Sequence, residues 1–172
     1  MFYFLVGAGT SAHLGALLIV DPNKLKGEST GKLDYSELVS LVENRLQLVP
    51  RYRQRVAEVT LGLARPVWVD DRDFDINFHV RLSALPQPGA VPQLQELIAR
   101  VMSRPLDRTR PLWEMYLIEG LYGGRSAILT KTHRCLLGDP EHLELSEILC
   151  DDDAYVAPLK EDLWMPGRPP GA

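Results

Sequence analysis

The chain has 172 residues, 45% hydrophobic and 24% charged, and its 19 basic and 23 acidic side chains leave a net charge of −4. That length and apolar content suit one domain with a sizeable core and exclude disorder over most of the chain. With no basic excess, nucleic acid is excluded as a partner. Two cysteines, Cys135 and Cys150, are too few for a disulfide scaffold and fit a reducing compartment, or one bridge between them.

The first 20 residues are apolar and contain no Lys or Arg, so the basic start of a secretory signal is missing. Gly7, Gly9 and Ser11 interrupt the run, whereas a membrane-spanning helix needs about 20 consecutive apolar residues. The pattern predicts a buried strand over 14–20, closed by Asp21-Pro22, with a signal or anchor as the alternative. Residues 23–32 are polar and hold two glycines, which predicts a loop.

From Asp34 onward, Leu38, Leu41, Val42 and Leu46 recur at helical spacing, and Pro50 ends the helix. Alternation predicts short strands at 55–59, 67–69 and 78–82. A second helix over 92–103 buries Leu94, Leu97, Ile98 and Val101. The stretch 104–113 is polar and broken by Pro105 and Pro111, which predicts a structural corner with Trp113 entering the core. A contact of Arg104 or Arg108 with a ligand phosphate is the functional alternative. Two β-prone runs, 113–121 and 125–133, flank Tyr122-Gly123-Gly124, a hairpin signal.

A last helix starts near Pro140 and buries Leu143, Leu145, Ile148 and Leu149. Beyond Asp151-Asp152-Asp153 the periodicity collapses, and the tail carries Pro158, Pro166, Pro169 and Pro170. The expected division is a lobe over 1–155 and a Pro-rich linker or arm over 156–172. The order β-α-β-β-β-α-β-β-α gives a mixed α/β fold with antiparallel or mixed strand pairing.

The chemistry concentrates at Thr130-Lys131-Thr132-His133-Arg134-Cys135, between a strand and a helix. His133 is a candidate general base, and a structural or merely exposed histidine is the alternative. Cys135 is a candidate nucleophile beside it, against the ordinary fate of a buried, inert thiol. His133, His142, Cys135 and Cys150 match no common zinc spacing, so no metal is expected.

Three blocks carry a wider likeness. They are Arg65-Pro66-Val67-Trp68-Val69-Asp70-Asp71, Phe74-Asp75-Ile76-Asn77-Phe78-His79-Val80-Arg81, and Met102 through Arg104-Pro105-Leu106-Asp107-Arg108 to Pro111-Leu112-Trp113-Glu114. Ile118-Glu119-Gly120-Leu121, Gly124-Arg125 and Leu129-Thr130-Lys131-Thr132-His133 continue it, as do His13-Leu14-Gly15 near the start and Trp164-Met165-Pro166 near the end. In that order the blocks resemble the N-terminal half of the bacterial wax ester synthase/acyl-CoA:diacylglycerol acyltransferase family.

The resemblance implies one lobe of a CoA-dependent acyltransferase fold, like chloramphenicol acetyltransferase and condensation domains, with a tunnel between two lobes. It implies acyl-CoA as co-substrate, diacylglycerol or a fatty alcohol as acceptor, and no bound cofactor. It also implies a cytoplasmic chain able to sit at a membrane or lipid-droplet surface, without a transmembrane segment. The family signature is His-His-x-x-x-Asp-Gly, whose second His is the base that deprotonates the acceptor hydroxyl. Aligned on it, His133 is the first His, Arg134 replaces the base, and Gly138 and Asp139 stand at the Asp and Gly positions. An arginine stays protonated near neutral pH, so impaired catalysis is expected. The expected chain is a truncated or split half. The alternative is a non-catalytic relic or partner subunit that pairs with a complementary C-terminal half.

Overall fold

The structure, a computed structural model, describes residues 12–21, 33–58, 65–137 and 162–168. Its elements in chain order are β1 (His13–Val20), α1 (Tyr35–Arg45), β2 (Gln54–Ala57), β3 (Val67–Asp70), α2 (Ile76–His79), β4 (Val80–Ala84), α3 (Val91–Ser103), β5 (Trp113–Glu119) and β6 (Ser126–His133). Four strands form a mixed sheet in the order β1-β6-β5-β4. β6 runs antiparallel to both β1 and β5, while β4 and β5 are parallel and joined through α3. β2 and β3 form a separate antiparallel ribbon. The loop expected at 23–32 and the helix expected from 140 lie outside the described residues.

α1 starts where the sequence signals it. The Asp34 carboxylate accepts the Ser36 N–H at 3.0 Å, and Glu37 accepts the Asp34 N–H at 3.3 Å, a reciprocal cap. The α-helix ends at Arg45, before the expected Pro50, and two 3-10 turns carry the chain on to Arg53. α3 opens at Val91 with Pro92 in its first turn, where a missing N–H costs nothing. The turn between β5 and β6 needs its glycines: Gly120, Gly123 and Gly124 all have positive φ.

The two faces of the sheet are covered differently. Trp113, Met115, Leu117 and Ile128 pack with Leu38 and Val42 of α1 and with Leu46 just after it. On the opposite face Ile118, Ala127 and Leu129 pack with Leu94, Leu97 and Val101 of α3. Strand alternation is the cause, because it sends successive side chains to opposite faces. With both faces covered, β6 is buried along its whole length.

Two expectations are corrected. β1 is not a buried strand but the sheet's outer neighbour of β6, and its Leu17 and Ile19 remain 40% and 46% exposed. An apolar run signals a strand without saying how many neighbours will cover it. The strand expected at 78–82 begins only at Val80, because 76–79 close one helical turn. The Asp75 carboxylate accepts the Asn77 N–H at 2.9 Å and caps that turn. The turn places His79 between two rings, 4.5 Å from Trp113 and 5.2 Å from Phe74, stacked on both.

The stretch from Arg104 to Leu112 is the irregular corner that the prolines predict. Asp107 holds it by accepting the N–H and the hydroxyl of Thr109 at 2.9 and 2.7 Å. Those bonds keep its carboxyl below the usual range. Trp113 enters the core fully buried, and its indole N–H donates to Tyr52 O at 2.7 Å. Trp113→Ala removes that bond and opens a cavity, so unfolding free energy should fall by about 3–5 kcal/mol in urea titration. An unchanged midpoint would show that Trp113 does not carry the core.

Candidate functional site

β6 delivers a lysine and a histidine into the interior. Lys131 and His133 share the face that α3 covers, in step with Ala127 and Leu129. Lys131 is fully buried, and burial pulls its ammonium below the ordinary lysine value. Its Nζ donates to Val101 O at 2.8 Å and to Arg104 O, the carbonyls at the end of α3. A cation there meets the negative end of the helix, where Val101 O also accepts the Arg104 N–H at 3.4 Å. Glu114 stands opposite Lys131 in the β5–β6 register. Its carboxylate takes the Arg81 guanidinium at 3.2 Å and the Tyr116 hydroxyl at 2.8 Å. Burial and that carboxylate push the Tyr116 phenol up to about 12.

His133 ends β6 and caps the short 3-10 turn of Arg134–Leu136. Its Nδ1 accepts the Cys135 N–H at 3.2 Å and lies 3.0 Å from Cys135 Sγ. An Nδ1 that accepts an amide N–H carries a lone pair, so the neutral ring holds its proton on Nε2. Burial, then His13 and Arg108, push the imidazole down to about 4. His13 lies directly opposite in the β1–β6 register, its ring edge-on at 5.9 Å.

Cys135 is a free, half-buried thiol, and burial pushes it up to about 11. A thiol raised in this way is poorly disposed to ionise near pH 7, in keeping with the buried, inert alternative. Arg134 begins the 3-10 turn after β6, with its backbone N–H on Ala12 O at 2.8 Å and its side chain exposed. Gly138 and Asp139 lie outside the described residues. Among the described residues no group of three or more His, Cys, Asp and Glu could hold a metal ion. No helix among them is long and apolar enough to cross a membrane.

The structure thus brings His133, Arg134 and Cys135 to one strand end, with His13, Lys131 and the Arg104–Arg108 corner around them. The roles of Lys131, His13 and Glu114 were not foreseen. For Lys131 a signal existed: strict alternation puts it on the same face as Ala127 and Leu129, so it had to be buried with a partner.

A family model described as "Wax ester synthase/diacylglycerol acyltransferase catalytic domain" matches residues 1–171. A Mycobacterium tuberculosis protein named "Probable diacyglycerol O-acyltransferase tgs3" is 51% identical over 99% of this chain and 60% of its own length. Another from that organism, named "Probable diacyglycerol O-acyltransferase tgs2", is 36% identical over 98% of this chain and 36% of its own. The chain therefore spans between about a third and three-fifths of these relatives. Among solved structures, the wax ester synthase/diacylglycerol acyltransferase of Marinobacter aquaeolei VT8 superposes with a TM-score of 0.58 at 30% identity, over 74% of this chain and 30% of that one. The starter condensation domain of rhizomide synthetase shares the fold alone, at a TM-score of 0.53 and 10% identity. The mixed sheet with flanking helices is a lobe-sized region of that acyltransferase fold.

A histidine held neutral in the fold but free to protonate when unfolded makes stability depend on pH. The depressed His133 stabilises fully above about pH 6.5, its unfolded value. That contribution is lost as pH falls toward about 4. Urea titrations across pH 4–8 should show the loss, and His133→Gln should flatten its share of the slope. An identical slope in both proteins would mean that His133 titrates normally.

Proposed function

The chain belongs to the wax ester synthase/diacylglycerol acyltransferase family, and on that premise we propose that it is a lobe for acyl transfer from acyl-CoA to a lipid hydroxyl, with its base lost. The donor is a long-chain acyl-CoA and the acceptor a diacylglycerol or fatty alcohol, giving triacylglycerol or wax ester. Support comes from the names of the relatives and from the place of the motif at the end of β6. Residues 1–155 make the lobe and 156–172 the interlobe arm. A complementary C-terminal half supplies the other wall of the tunnel. The reaction needs no resident cofactor or metal, only acyl-CoA as co-substrate. A lipid acceptor brings the lobe to a membrane or lipid-droplet surface from the cytoplasmic side.

The observation that carries the impaired chemistry is the state of the strand end. A base must present a lone pair to the acceptor hydroxyl near neutral pH. His133 turns its lone pair to the Cys135 amide and keeps a proton on Nε2. It is therefore the auxiliary member of the motif, shaping the turn. Arg134 stands next, at the base position, with an exposed guanidinium that can hold a carboxylate or phosphate but takes no proton. Gly138 and Asp139 complete the degenerate motif, where a loop-orienting Asp and a Gly are missing.

The second reading is a non-catalytic partner that binds a complementary half. The exposed Leu17 and Ile19, on one face of the outer strand β1, favour it, since exposed apolar surface commonly marks an interface.

Acyl transfer is measured as CoA released from palmitoyl-CoA with diacylglycerol or hexadecanol, by the chain alone and reconstituted with a complementary C-terminal half. The unmodified chain should stay near background. Arg134→His with Gly138→Asp and Asp139→Gly should raise the reconstituted rate by about 10²-fold or more, the usual worth of a positioned base. If the unmodified pair already matches the triple variant, another group is the base and the assignment of Arg134 fails.

A further inference from the structure

Residues 162–168 lie extended against the lobe with two unlike sides. Leu163 and Met165 point outward, 79% and 83% exposed. Between and beside them, Asp162 and Trp164 are half-buried against the lobe, and the exposed Gly167 reaches it through its N–H. The Asp162 carboxylate pairs with the Arg53 guanidinium. The Trp164 ring lies 5.1 Å from the same guanidinium and meets Phe74 edge-on at 6.3 Å. The Gly167 N–H donates to Asp70 Oδ2 at 2.7 Å. A methyl group on Gly167 would stand 3.1 Å from that oxygen, tighter than ordinary contact.

Arg53 is the unusual part of this arrangement. It is only 6% exposed, at the end of the 3-10 turn that precedes β2. Its Nη2 also reaches Glu43 O near the end of α1, at 3.5 Å. A buried guanidinium needs a counter-charge, because its desolvation is offset only by good geometry and opposite charge. Asp162 supplies that charge from more than 100 positions away in sequence. Phe74, which receives Trp164, in turn stacks on His79, and His79 on Trp113 of β5.

We propose that residues 162–168 form a latch, closed onto the β2–β3 ribbon by Arg53 and opened when the Arg53–Asp162 pair is broken. Closed, the latch holds residues 162–168 beside the β2–β3 ribbon and the Phe74 ring. The arm is thus fixed to the lobe over this stretch, and its outward Leu163 and Met165 are presented at a set place.

Hydrogen exchange read by mass spectrometry tests this on the full chain. A peptide spanning 162–168 should be protected in the unmodified protein and exchange at least tenfold faster in Asp162→Asn and in Arg53→Met. Peptides from β5 and β6 should exchange as before, which separates an opened latch from an unfolded lobe. Because Asp162 lies in the arm rather than in the core of the lobe, its variant keeps the test decisive if Arg53→Met does not fold. A 162–168 peptide that exchanges at the free-chain rate in the unmodified protein, or at one rate in the unmodified protein and Asp162→Asn, would overturn the latch.

Discussion

Everything at the site depends on the complete burial of β6, whose eight residues include a lysine and a histidine. A strand covered on both faces cannot leave such groups without partners, since a buried polar group lacking a hydrogen bond costs about 1–3 kcal/mol and an unpaired charge more. The fold answers each demand locally. The end of α3 supplies carbonyls for the Lys131 ammonium, which fixes the helix over the strand and sets where the Arg104 corner turns. The turn after β6 supplies an amide and a thiol for His133. The Glu114 carboxylate, opposite Lys131, gathers Arg81 and Tyr116.

The same solution limits the chemistry. Satisfying His133 from its own turn commits its lone pair to structure, and burial then keeps the ring neutral far below pH 7. At the next position this chain has Arg134, whose guanidinium stays protonated near neutral pH. The fold and the sequence blocks are those of the wax ester synthase/diacylglycerol acyltransferase family, while the position after His133 carries a guanidinium. A substitution of this kind leaves the core untouched, because the Arg134 side chain faces solvent and its backbone N–H is tied to Ala12, just ahead of β1.

Much of the fold was legible from periodicity and punctuation. Leu94, Leu97 and Val101 mark the buried face of α3, Asp34 the start of α1, and Tyr122-Gly123-Gly124 the hairpin. The rest stayed illegible because it depends on neighbours in space. The run 14–20 reads equally well as a central or an outer strand, and only the order β1-β6-β5-β4 decides. The helical turn at 76–79 hides inside an alternating pattern, because its cause is an Asp75 cap and two stacked rings rather than a helical period. The motif itself was legible only by family likeness. His133 looks like a base on its residue type, and the hydrogen bond that gives it a structural role comes from backbone geometry. The receivers of 162–168, above all Arg53, sit so far away in sequence that no local pattern joins them.

The central claim is that His133 is a neutral, turn-capping imidazole protonated on Nε2. Nitrogen-15 NMR of histidine-labelled protein, recorded from pH 8 down to pH 4, reports the protonation state and tautomer of each ring directly. The account predicts that the His133 signals keep the Nε2–H pattern through neutral pH and move only as pH nears about 4. A titration centred near the ordinary value of about 6.5, or a proton on Nδ1 in the neutral form, would contradict it and return His133 to the position of a general base.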